Sequence, residues 1–272
     1  MKITKFLVTM SFILLVQATS SAHMLFPHDG VAVDLGMLRP IIANGEVVPH
    51  SLDDLRAMTP RIYIKDTSEG TVEENYCTGL LIAPNVVLTA AHCVASDPAD
   101  LFVQVYFREK KVNVEKILVH PDHEPLRYEQ INGRLEARGG YNDVALLFLN
   151  QSVTSVTPAL LPVPDYRLKD KEKVLLAGYG LLGEQENKAG ELHYVKVSVD
   201  EISKGRLRVY GKKTSCSGDS GGPVLKRQDD RWMSVGVISL GDCESISTQM
   251  RTSAFTDWIL NEIAKFDSYI RI

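Results

Sequence analysis

The sequence predicts an all-β protein made of two successive β units and ending in one helix. Three observations carry that expectation. From Asp53 onward, short apolar runs alternate with turn residues, and no long stretch of helical periodicity occurs until the end of the chain. Val195-Lys196-Val197-Ser198-Val199 alternates apolar and polar residues, as a strand with one wet face does. Pro158, Pro162 and Pro164 crowd one segment and mark a boundary between the units near Thr154 to Asp165.

In chain order, Lys2 and Lys5 precede the apolar segment Phe6 to Val16 and the small residues Ala18 to Ala22, the order of a secretory signal peptide spanning residues 1–22. The apolar segment falls short of the roughly 20 residues that span a bilayer. With no cysteine at the cleavage point, a bacterial lipid anchor is excluded. The mature protein is therefore expected outside the cell, or in the periplasm of a bacterial source. Strands are expected at Leu101 to Phe107, Val144 to Leu149, Val174 to Ala177 and Met233 to Ser239. The polar stretches Glu124 to Gly140 and Gly183 to Gly190 read as surface loops. Phe255, Trp258, Ile259, Ile263 and Phe266 fall on one face at helical spacing, with Thr252 or Ser253 placed to cap the start. This stripe reads as core packing against the second β unit, not as a cofactor site.

Composition narrows the class. A chain of 272 residues, 44% hydrophobic and 24% charged, fits one large or two small globular domains. A formal net charge of -4 gives no electrostatic footprint for nucleic acid or an anionic membrane. Four cysteines are an even number that an oxidising compartment pairs, in any of three connectivities. No C-x-x-C or H-E-x-x-H spacing is present, so no zinc site or other metal is expected. His120-Pro121-Asp122-His123 reads as a surface turn. The sequon Asn150-Gln151-Ser152 is assigned no role.

The chemistry concentrates in Ser215-Cys216-Ser217-Gly218-Asp219-Ser220-Gly221-Gly222. Glycines around Ser220 let the backbone turn sharply, and such a turn aims the N–H groups of Gly218 and Ser220 at one point, where an oxyanion would develop. A serine nucleophile needs a base, and the base needs an orienting group. The same residues fit a G-x-S-x-G elbow, whose acid and histidine follow the serine. All seven histidines precede Ser220, which removes that reading. Upstream, Leu88-Thr89-Ala90-Ala91-His92-Cys93 sets a histidine beside a cysteine, and Asn142-Asp143-Val144-Ala145-Leu146-Leu147 sets an acid at the head of an apolar run.

Three blocks in the order His, Asp, Ser, framed by cysteines, resemble the chymotrypsin/trypsin family of serine endopeptidases over roughly residues 42–272. The resemblance implies two six-stranded antiparallel β-barrels with the active site between them, the first over about 42–155 and the second, with the helix, over about 165–272. It implies His92 as general base, Asp143 as its orienting acid, Ser220 as nucleophile, and Gly218 and Ser220 as oxyanion donors. It also implies the bridges Cys77–Cys93 and Cys216–Cys243, protein or peptide substrates, no cofactor, and a monomer. Residues 23–41 resemble an activation peptide removed by an activating protease. The new terminus Ile42 would then pair with Asp219. The chain departs from the family here, since Arg39-Pro40-Ile41-Ile42 lacks the usual basic residue before the new terminus, leaving Ile41 as an alternative start. Ala177-Gly178-Tyr179-Gly180 resembles the family's Gly-Trp-Gly block. In the substrate pocket the resemblance places uncharged Thr214 at the base and Ser215, Ser239 and Gly241 along the walls, with Ser247 or Gln249 where relatives carry glycine. A preference for neutral, small to medium or apolar residues before the cleaved bond follows. The alternative is a catalytically weak binding protein or secreted effector on the same fold, and the complete triad argues against it.

Overall fold

The computed structural model describes residue 42 and residues 45–131, 134–180 and 191–270, all within the unit Asp34–Ile272. The expected signal segment 1–22, the activation segment 23–41 and the stretch Gly183 to Gly190 lie outside the described residues.

After the short strand β1 (Glu46–Val47) and helix α1 (Asp53–Met58) come β2 (Arg61–Asp66), β3 (Glu73–Thr78), β4 (Leu80–Ala83), β5 (Val86–Thr89), β6 (Leu101–Phe107) and β7 (Lys110–Val119). A hairpin of β8 (Arg127–Ile131) and β9 (Arg134–Arg138) precedes β10 (Ala145–Leu149). The first large sheet runs β3-β2-β6-β7-β10-β5-β4. Only Gly79 separates β3 from β4, yet they occupy opposite edges, so one bent strand closes the sheet on itself. Counted once, that strand makes a six-stranded barrel with no free edge.

The second half repeats the device with β11 (Lys173–Gly178), β12 (His193–Ser198), β13 (Glu201–Ile202), β14 (Arg206–Tyr210), β15 (Pro223–Gln228), β16 (Arg231–Gly241) and β17 (Ile246–Arg251). Its order is β1-β12-β11-β15-β16-β17-β14-β13, with β12 and β13 two residues apart at opposite sides and β1 added on β12. All the paired strands are antiparallel. The alternating segment Val195 to Val199 lies on β12 but for its last residue, and the other expected strands fall within β6, β10, β11 and β16, with Val144 just outside β10.

Three expectations are corrected. Glu124 to Gly140 is not plain loop, because β8 and β9 pair with each other and Glu124 bridges Tyr141. The hairpin lacks an apolar run because it joins neither barrel, so periodicity gave no signal. The C-terminal helix α2 (Thr256–Ile270) packs on the first barrel, not the second. Phe266 stacks on Phe148 of β10 at 4.2 Å between ring centroids, and Phe255 and Trp258 meet His120 beyond β7. An apolar stripe tells that one face is buried but not what buries it. Ser253 and Thr256 donate to the carbonyls of Tyr166 and Pro162, which steers the chain across to the first barrel. Neither Thr252 nor Ser253 caps α2, because both lie in a 3-10 turn ahead of it, where Thr252 pairs with Ser234. Phe148 and its β10 neighbours are thus covered on both faces, and all five residues of β10 are buried.

Candidate active site

Strand pairing brings the base to its acid. β5 and β10 are antiparallel with Ala145 opposite Thr89, so the turn after β5, which carries His92, leaves the barrel beside the residue ahead of β10, Asp143. His92 Nδ1 donates to Asp143 Oδ2 at 2.7 Å, and the His92 backbone N–H donates to Oδ1 at 2.8 Å. The tautomer with its proton on Nδ1 leaves Nε2 as an acceptor. From β16, 96 positions away, the Ser239 hydroxyl donates to the same Oδ2 at 2.5 Å. Burial alone would raise the Asp143 carboxyl. The charge and two hydrogen bonds of His92, together with Ser239, outweigh it and hold the group at about 2. Burial likewise works against charge on His92, whose side chain keeps 30% of its surface exposed. Asp143 prevails and raises the imidazole above its ordinary value.

Ser220 lies in the loop between β14 and β15 and is half-buried. It forms no hydrogen bond to His92 Nε2 in this structure, and in such sites that bond is often long and tightens only in the reacting complex. Cys93 Sγ lies 3.9 Å from both His92 Nε2 and the Ser220 carbonyl oxygen, setting base and nucleophile loop against one disulfide. That bridge joins Cys77 to Cys93, and a second joins Cys216 to Cys243. Cys77, His92 and Cys93 bring potential ligand atoms within 4.8 Å of one another, but both sulfurs are committed to the disulfide and no thiolate is available to a metal.

The nucleophile loop separates its amides into two groups. The N–H groups of Asp219, Gly221 and Gly222 donate to the carbonyls of Cys216, Ile238 and Asp219. Those of Gly218 and Ser220 have no acceptor among the described residues. Gly218 has φ +88°, a conformation that glycine adopts without the Cβ penalty.

A trypsin-family profile, described as Trypsin, matches residues 61–259. The chain belongs to the trypsin family. Serine protease 28 of Mus musculus is 31% identical over 205 residues, 62% of this chain and 70% of the mouse protein. Vitamin K-dependent protein C of Oryctolagus cuniculus is 27% identical over 226 residues, 69% of this chain but only 46% of the rabbit protein. The solved structure described as "Structure of GrC" superposes with a TM-score of 0.62 at 23% identity, covering 81% of this chain and 99% of its own, and bears on the fold. This trypsin-family protein is a serine-type endopeptidase.

In this protease Thr214 is fully buried and its hydroxyl has no hydrogen-bond partner among the described residues. Ser215 Oγ meets Ser247 Oγ at 2.8 Å, and Gln249 Nε2 donates to Ser247 Oγ. Of the two residues placed where relatives carry glycine, Ser247 is the direct partner of Gly241 on β17. A Cβ on Gly241 would come within 2.3 Å of the Ser215 carbonyl oxygen, so the walls touch. The nearby Asp242 carboxylate is occupied by the N–H groups of Glu244, Ser245 and Ile246. Ser239, expected along the pocket wall, also holds Asp143 through its hydroxyl. Only the fold brings them together.

Ile42 and Asp219 are both fully buried. The Asp219 carboxylate accepts from the N–H groups of Gly180 and Cys216, each at 2.9 Å. A Cβ on Gly178 would lie 2.1 Å from Asp219 Oδ1, so the Gly178-Tyr179-Gly180 block makes room for this acid. Burial pushes Asp219 up to about 7, against the pull of those two amides.

Proposed function

We propose that this chain is a secreted serine endopeptidase, made as a zymogen, that cleaves after small neutral residues. The observation that carries the reading is the Asp143–His92 pair set beside a nucleophile loop whose Gly218 and Ser220 amides have no acceptor among the described residues. His92 Nε2 takes the proton of Ser220 Oγ as that oxygen bonds to the scissile carbonyl carbon. The carbonyl electron pair moves to oxygen, facing the amides of Gly218 and Ser220. As the C–N bond breaks, His92 returns the proton to the leaving amine and an acyl-enzyme remains. Water then repeats the sequence with the same base. Residues 1–22 are assigned to export, 23–41 to the activation segment and 42–272 to the peptidase domain.

The test concerns activation. In the uncut chain the nitrogen of Ile42 is a peptide amide and brings no positive charge to Asp219. Protein that begins at His23 is expected to be nearly inactive, and N-terminal sequencing of the active form should return Ile42, or Ile41. Stability supplies a second readout. The folded value of Asp219, about 7, exceeds its ordinary 3.8, so the folded uncut chain holds this proton more tightly. Its contribution is present at low pH and is lost as pH rises toward about 7. Cutting should reverse that loss by supplying an ammonium. Full activity from a chain starting at His23 would remove the activation step and leave the triad untouched.

The pocket residues support the substrate preference. The Ser215–Ser247 contact limits depth, Thr214 brings no charge, and the Asp242 carboxylate closes its own turn. Leaving a substrate ammonium or guanidinium unpaired there costs several kcal/mol. Peptides varied only at the residue before the cleaved bond should favour Ala, Ser, Thr and Val over Arg or Lys by about 10²-fold or more, and Ser247→Gly should shift the preference to larger side chains. A dominant preference for Arg or Lys would overturn it.

A further inference from the structure

We propose that Thr78 is a positioning residue for the oxyanion donors, acting through the carbonyl groups of the same two residues. The inference rests on the catalytic reading of Ser220. Thr78 ends β3, at the corner where the first barrel's bent strand turns, and is fully buried. Every polar atom it owns is engaged near the nucleophile. Its N–H donates to the Ser220 carbonyl at 2.8 Å, and its own carbonyl accepts from Thr89 Oγ1 at 2.9 Å. Its hydroxyl donates to the Gly218 carbonyl at 2.9 Å and accepts from the Tyr179 N–H at 3.0 Å. The hydroxyl's two roles are thus fixed, one as donor and one as acceptor.

The two unengaged amides belong to the same residues whose carbonyls Thr78 grips, so each donor's peptide plane directly precedes a plane that Thr78 holds. A glycine at positive φ rotates its peptide planes at little cost, so the Gly218 amide points steadily only if something outside the loop holds the adjoining planes. On one side the loop is tied by the Cys216–Cys243 bridge. On the other it is tied by the Thr78 hydroxyl. The backbone grip on Ser220 survives any substitution at 78, whereas the grip on Gly218 needs a hydroxyl. Donors fixed before reaction need no reorganisation as charge develops, so the benefit falls on the transition state rather than on substrate binding.

The test uses the processed protein and its T78S, T78A and T78V variants, all checked for folding by thermal melting. Measured are kcat and KM on one peptide substrate and the Ki of a peptide trifluoromethyl ketone, which forms an oxyanion on the serine. T78V and T78A should lower kcat by about 10- to 100-fold with KM within about twofold, and weaken the ketone in parallel. T78S should stay within about threefold of the parent. If T78V does not fold, T78A against T78S makes the same comparison. The proposal is overturned if a folded T78A or T78V keeps kcat within about threefold, if the loss falls on KM with the ketone unaffected, or if T78S is as impaired as T78A. Absence of Ser220-dependent turnover in the parent would be seen before any Thr78 variant is assayed, and would remove the catalytic reading along with this one.

Discussion

Ser220→Ala is expected to lower peptide turnover of the processed protein by a factor on the order of 10⁶. The substitution removes the hydroxyl proposed to form the acyl bond, while His92, Asp143 and the two amides stay as they are. What remains is the modest acceleration that binding and the oxyanion donors give to attack by water. An active-site phosphonate should label the parent at Ser220 and leave the variant unmodified. Unchanged peptidase activity in Ser220→Ala would end the serine-protease mechanism for this chain. Ester hydrolysis alone would not decide it, because acyl-enzyme chemistry accepts esters too.

Asp143→Asn should cost about 10⁴-fold in kcat, the loss that the same change causes in this family's reference triad. Asparagine presents an amide N–H where Asp143 now accepts from His92 Nδ1. The imidazole then moves its proton to Nε2 and can no longer take one from Ser220. A pH profile adds a sharper readout. Catalysis needs neutral His92, and Asp143 holds its pKa above the ordinary 6.5, so the acid limb of kcat/KM for the parent should lie above that value. Without the carboxylate the stabilisation of the imidazolium is lost and the limb should move down. A variant that loses less than tenfold, or keeps the parent's acid limb, would show that Asp143 does not orient the base.

Much of this site was legible because its parts announce themselves locally. His92 beside Cys93, Asp143 ahead of an apolar strand and Ser220 between glycines each sit in a distinctive short block, and their order in the chain separated two folds that share one mechanism. Contacts that only the fold makes were silent. Thr78 and Ser239 are ordinary strand residues in sequence, and their roles depend on partners up to 140 and 96 positions away. The helix stripe was read correctly as buried but assigned to the wrong barrel, because periodicity carries no information about the partner surface. The β8–β9 hairpin escaped because each strand pairs only with the other, so neither needed the apolar face that makes a strand visible.

That hairpin gives the molecule room to change. It contributes to neither barrel sheet, and it rejoins the scaffold where Glu124 pairs with Tyr141 and where Arg206 donates to the carbonyls of Gly139 and Gly140 and lies over the Tyr141 ring. Those anchors fix where the segment leaves and returns, a few residues before Asp143. Mutation, insertion or loop grafting between the anchors can therefore proceed without refolding either core or shifting the acid beyond it. For an evolving lineage or an engineer, this is a stretch that can be rewritten while the residues beyond it are inherited intact.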